Sequence, residues 1–204
     1  MTELVRRWGA AASLVAGIAW VPIWLHQRAA HGLTQVNEMR LVAGLTWMDT
    51  SKLLVVLLAL VFVGLVALYL RRERPGTLGR LGAAITFGGL ALLIVTTALQ
   101  FWTFAWGSYD VTFEEATGFA GSNASGAVQF GASLVFTVGL ALLSIDLVRA
   151  KVINWFVAVV LVLGALTTVY FSPVLLMPGI AWIVLGLVLL RRSDVSQGSR
   201  VSMP

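Results

Sequence analysis

The chain has no cysteine, which excludes disulfides, thiolate metal sites, cysteine nucleophiles and thiol–quinone redox chemistry. It has only two histidines, His26 and His31. Their spacing does not set both rings on one helical face. With Glu38, Asp49, Asp110 and Glu114 they hold the ingredients of a divalent-metal site, but no spacing among them requires one. Neither histidine lies deep in an apolar run, so no axial ligand for a haem is in place. No metal and no cofactor is implied.

Charge is scarce as well. Charged residues make up 11 % of the 204 residues, where a soluble domain carries about a quarter. No carboxylate, lysine or arginine falls clearly mid-run. That argues against proton antiporters, retinal proteins and voltage sensors. What fills the chain is apolar: 59 % of residues, with a mean hydropathy of +0.92. A chain this short cannot bury so much apolar surface within itself, so the sequence implies a lipid solvent. The formal net charge of +5 does not indicate nucleic acid, because the basic residues flank apolar runs instead of lining a polar face.

Six apolar runs follow, at about 8–25, 51–70, 81–106, 126–147, 152–170 and 174–190. The expected fold is an all-α integral membrane protein, a bundle of six transmembrane helices in one domain over 1–192. Residues 193–204 form a polar, mobile cytoplasmic tail. The basic lead with Arg6 and Arg7 precedes a run long enough to span, so it reads as a retained first span and not a cleaved signal. Pro22 is expected to bend or end that span. Residues 28–50 hold Leu33, Val36, Arg40, Leu41, Leu45 and Met48 at helical spacing. They read as a short interfacial helix anchored by Trp47, or as a plain loop.

Six spans put both termini on one side. Arg6, Arg7, Arg71, Arg72, Arg74, Arg80, Arg149, Lys151, Arg191, Arg192 and Arg200 share that side, and only Arg28, Arg40 and Lys52 fall on the other. The positive-inside rule makes the first side cytoplasmic and the location the cell membrane. Asp146 and Arg149 are expected to form a local ion pair at the inner end of the fourth span.

A faint repeat runs through the chain. Arg7-Trp8-Gly9-Ala10-Ala11 is matched by Arg80-Leu81-Gly82-Ala83-Ala84. Val63-Gly64-Leu65-Val66 is matched by Val138-Gly139-Leu140-Ala141 and Leu185-Gly186-Leu187-Val188. The chain reads as three parallel helical hairpins, or as coincidence among few residue types.

Chemistry concentrates between Leu99 and Phe136. Thr96, Gln100 and Thr103 share one face of span three, and Gln129, Ser133 and Thr137 share one face of span four. Polar residues in a span face other helices or a cavity. Trp24, Trp47, Trp102, Trp106, Tyr109, Phe113, Phe119, Tyr170 and Phe171 enrich the outer level, while Trp8, Tyr69, Trp155 and Phe156 mark the inner one. The candidate pocket is therefore Trp24, His26, Gln100, Trp102, Thr103, Trp106, Asp110, Glu114, Gln129 and Ser133. Aromatic walls beside Asp110, Glu114 and Glu115 suit a cationic or amphipathic ligand. The plainer alternative is an interfacial aromatic belt under an acidic loop.

Enzyme classes lack parts. Gly121-Ser122 and Ser125-Gly126 have no histidine after them. Glu114-Glu115 resembles the paired glutamates of intramembrane CAAX-type proteases, whose later histidines are absent. Lipid-headgroup chemistry through Asp110, Glu114 and His26 is the remaining enzymatic option. The expected function is non-enzymatic: an accessory subunit of a membrane assembly, or a module holding an amphipathic molecule near the outer leaflet. Expected partners are the bilayer, other membrane subunits and a small amphipathic or cationic ligand, with no nucleic acid.

The stretch Ala12-Ser13-Leu14-Val15-Ala16 adds an alternative. In span number, length and placement of termini the chain resembles the substrate-binding subunits of energy-coupling-factor vitamin transporters. Their first span carries an Ala-x-x-x-Ala contact for a partner. The resemblance implies a solute-transport component, with Ala12 and Ala16 facing a partner. No vitamin-specific motif accompanies it.

Overall fold

In a lipid solvent a backbone must satisfy its own hydrogen bonds, and apolar runs of this length do so as helices. The computed structural model describes residues 3–30, 47–72, 74–106, 123–168 and 176–191. These form six helices: α1 (Glu3–Ala30), α2 (Trp47–Leu70), α3 (Thr77–Trp106), α4 (Asn123–Arg149), α5 (Trp155–Thr167) and α6 (Leu176–Leu190). No strand occurs among the described residues. Stretches of α2, α3 and α4 are long and apolar enough to cross a membrane. α5 and α6, at 13 and 15 residues, are about 20 and 22 Å long at 1.5 Å per residue.

Several boundaries differ from the sequence reading. Pro22 does not end α1, which continues to Ala30. Proline forfeits a single backbone bond, and neighbouring helices make that tolerable. Trp47 opens α2. Residues 31–46 of the expected interfacial helix, the Asp110–Glu115 segment and the 193–204 tail lie outside the described residues.

Each helix packs against its chain neighbours, and α6 closes the ring on α1 while also touching α2. Neighbours run antiparallel. A Cβ on Gly82 of α3 would meet Leu143 N of α4 at 2.5 Å. One on Gly89 would meet Phe136 N at 2.5 Å, and Gly139 of α4 lies against the backbone of Thr86. Gly9 and Gly64 bring α1 against Ala67 and Ser13 in the α1–α2 pair. Gly17 and Gly186 admit α6 against α1. Such close approach supplies the van der Waals contacts between the helices.

The surface is inverted relative to a soluble protein. Trp8, Ile18, Trp155 and Phe156 are 66, 62, 62 and 71 % exposed, while Ser13, Thr86, Thr96, Thr97, Ser133 and Thr137 are buried. Ala12 and Ala16 are also buried within the chain's own packing. The partner contact implied by the transporter resemblance therefore has no exposed alanine pair on α1.

All described charged side chains gather at one end: Glu3, Arg6, Arg7, Arg71, Arg72, Arg74, Arg80, Asp146, Arg149, Lys151 and Arg191. α2, α4 and α6 end there with unpaired carbonyls. Arg6 donates to Leu189 O (3.2 Å) and Leu190 O (2.8 Å). Arg71 donates to Val188 O (2.7 Å) and Arg191 O (3.2 Å). Two arginines from α1 and the end of α2 thus cap α6, where the helix dipole favours positive charge.

Asp146 pairs with Arg72, not with Arg149, which is exposed. The Asp146 side chain is nearly buried and turned toward Gly76 and Gly79. Arg72 reaches it from the α2–α3 turn and also donates to the Asp146 backbone carbonyl at 2.6 Å. That second bond is out of reach for Arg149, three residues along the same helix.

Candidate ligand site

The α3–α4 seam sets the register of the expected site. Gly82, Thr86 and Gly89 face Leu143, Gly139 and Phe136 in constant antiparallel register. Continued toward the far end, that register sets Gln129 across from Thr96 and Gln100 across from Ser125. The two glutamines are thus about one helical turn apart in register. Ser133 and Thr137 are buried and Gln129 is half-buried, so the polar face expected on α4 does turn inward. Thr96 is buried too, and donates to Leu92 O at 2.9 Å.

Interior hydroxyls in lipid usually bond back to their own helix. Ser13, Thr86, Thr96 and Thr97 do so, at 2.6–2.9 Å. Four buried groups break the pattern. Trp20 Nε1, Trp182 Nε1, Thr137 Oγ1 and Ser144 Oγ have no hydrogen-bond partner. Leaving such a group unpaired costs about 1–3 kcal/mol.

The two indoles lie about one turn apart along α6. Trp20 of α1 lies against Gly179 of α6. One turn on, Trp182 packs its ring on Phe136 of α4, centroids 6.5 Å apart. Thr137 follows Phe136 in sequence. Trp20 sits one helical turn inside Trp24, and Thr137 one turn inside Ser133.

Of the ten residues expected at the site, the side chains of Gln129 and Ser133 are described. Trp24 and His26 fall in the last two turns of α1, and Gln100, Trp102, Thr103 and Trp106 in the last two turns of α3. Their side chains lie outside the described part, as do Asp110 and Glu114 altogether. Trp20 and Trp182 were missed. Their signal was present: both are tryptophans placed within apolar runs, away from the interfacial levels where that residue concentrates.

This interior offers hydrogen-bond donors in an apolar wall and, among the described residues, no ionisable side chain. Two indole N–H groups and a hydroxyl suit a carbonyl or hydroxyl oxygen on an otherwise apolar molecule. Among the described residues no cluster of histidine, aspartate and glutamate fit for a metal occurs.

The opposite, basic end has its own electrostatics. Hydrogen bonds from Arg6 and then Arg7, each at 2.9 Å, lower the Glu3 carboxyl from 4.5 to about 2. Burial, and secondarily Arg6, lowers Arg71 from its ordinary value.

Comparison with family models, curated proteins and solved structures finds no match to this chain.

Proposed function

We propose that the chain is a six-span membrane protein with both termini in the cytoplasm. Its interior holds an apolar or amphipathic molecule entered from the outer, aromatic end. The orphaned donors Trp20, Trp182 and Thr137 carry this reading. They are what an oxygen-bearing apolar ligand would complete. The segregation of charge to one end supports the orientation.

Native mass spectrometry after gentle extraction tests this. The expected result is a retained small molecule, lost on Trp182→Phe, which keeps a ring and removes the donor. An empty parent protein whose Trp182→Phe variant is more stable would mean that the donors only pack, and the ligand reading fails. Single cysteines test the orientation in this cysteine-free chain. Ser122→Cys should label from outside, and Ser199→Cys only after permeabilisation. The reverse pattern, or labelling of both from one side, overturns the topology.

A second reading, an accessory subunit, draws on the short α5–α6 hairpin. Helices of about 20 Å underspan a hydrocarbon core of about 30 Å, and oligomerisation is one way to accommodate them. Fixed partners co-purifying in mild detergent would favour it. The transport-component alternative draws no support from α1, whose Ala12 and Ala16 are occupied internally.

A further inference from the structure

Apart from Arg7, paired with Glu3, and the exposed Arg191 at the end of α6, the described cations at the basic end divide into two sets. Arg6, Arg71 and Arg72 are engaged with helix ends and with Asp146. Arg74, Arg80, Arg149 and Lys151 are exposed, and no described carboxylate pairs with them.

This free set hangs from one junction. Arg72 Nε donates to Arg74 O at 3.0 Å. Arg80 N donates to Gly76 O at 3.0 Å, and Gly76 and Gly79 lie against the Asp146 carboxylate. Ala150 N, between Arg149 and Lys151, donates to Asp146 O at 3.0 Å. Four exposed cations thus stand within a few residues in sequence of backbone groups tied to the Asp146–Arg72 pair. Beside them Trp155 and Phe156, 62 and 71 % exposed, follow the N-cap Asn154, whose side chain accepts from Val157 N at 2.9 Å.

Lys151 is the unexpected member. It adopts φ 57°, the only positive-φ non-glycine residue among those described. α4 closes there as a Schellman motif, with Lys151 N donating to Val148 O and Val152 N to Leu147 O, both 2.9 Å. Glycine or asparagine usually takes this left-handed position, because other side chains are strained in it. The chain keeps a cation where glycine would be more comfortable.

We propose that this sector binds the phosphate headgroup of an anionic phospholipid in the leaflet it touches. Arg74, Arg80, Arg149 and Lys151 meet the phosphate oxygens, while Trp155 and Phe156 lie along the glycerol and upper acyl chains. The inference rests on the membrane reading but not on the interior ligand.

The test uses the full chain in a neutral maltoside detergent. Thermal unfolding and native mass spectrometry are followed with phosphatidylglycerol, phosphatidylcholine or inorganic phosphate added. Phosphatidylglycerol should bind and raise the midpoint, and the other two should not. Lys151→Gly should weaken phosphatidylglycerol binding about fivefold. Its lipid-free midpoint should be unchanged or higher, since the strain is relieved. Replacing Arg80, Arg149 and Lys151 together by Gln should weaken binding about a hundredfold. Equal effects of both lipids, reproduction by phosphate alone, or unaltered binding by Lys151→Gly each overturn the proposal. So does a Lys151→Gly protein with a lower lipid-free midpoint, because the lysine would then be a packing residue.

Discussion

The first and second hairpins, α1–α2 and α3–α4, use the same device with different parts. In α3, Thr86 donates to Gly82 O at 2.6 Å, and Gly139 of α4 lies opposite. In α1, Ser13 donates to Gly9 O at 2.8 Å, and Gly64 of α2 lies opposite. Gly9 and Gly82, and Gly64 and Gly139, are positions matched by the sequence repeat. What differs is the atom each glycine meets. Gly139 faces backbone of α3, whereas Gly64 faces the Ser13 hydroxyl and Gly9 the Ala67 methyl. The second hairpin is held at main-chain contact. The first is held one side-chain atom apart, and α1 also has to receive α6. The third hairpin departs further: Gly186 matches the repeat but meets Leu14 and the Ala10 carbonyl of α1, not α5.

Substitutions test how far the two hairpins differ. Both are tied at their basic ends through Arg71 and Arg72, and Arg72→Gln should cost most. It strands Asp146, whose side chain is 7 % exposed, and breaking such a pair costs about 3 kcal/mol. The denaturation midpoint in detergent should drop accordingly, while Arg149→Gln leaves it unchanged.

Next, Gly139→Ala should cost about 2–3 kcal/mol, because the new methyl meets the Ile85 and Thr86 backbone. Adding Thr86→Ala should not rescue it. Gly64→Ala should cost less, about 1–2 kcal/mol, and Ser13→Ala should rescue most of it by removing the opposing oxygen. A double-mutant cycle on each pair measures the contrast directly. Equal rescue in both hairpins would erase the distinction between them.

The smallest effect is electrostatic. Glu3 is depressed from 4.5 to about 2, so its tie to Arg6 and Arg7 is complete above about 4.5. It weakens as pH falls toward 2, when the carboxylate takes a proton. Hydrogen exchange of the first turn of α1 should rise over that window, and Glu3→Gln should flatten the profile.

Much of this architecture was legible because lipid imposes a strong pattern. Long apolar runs bounded by arginines marked helices at nearly the right places, and the hydroxyl-bearing faces of α3 and α4 do turn inward. Pairings between distant residues were less legible. Asp146 and Arg149 looked like partners from spacing alone, and only the fold brings Arg72 across. Likewise Ala12 and Ala16 form a small-residue motif that serves equally well inside the chain or outside it. Spacing marks the face of a helix but not what covers that face. The same limit hid Trp20 and Trp182, whose significance lies in the partners they lack.

The closure of α6 onto α1 bears on the order of biosynthesis. α1 is made first, yet the helix that fills its notch at Gly17, and whose end Arg6 and Arg71 clasp, is the last of the six to leave the ribosome. Until then two cations and a glycine-lined groove wait for an occupant. A nascent chain interrupted before Leu176 would be left with an open seam for quality-control machinery to recognise.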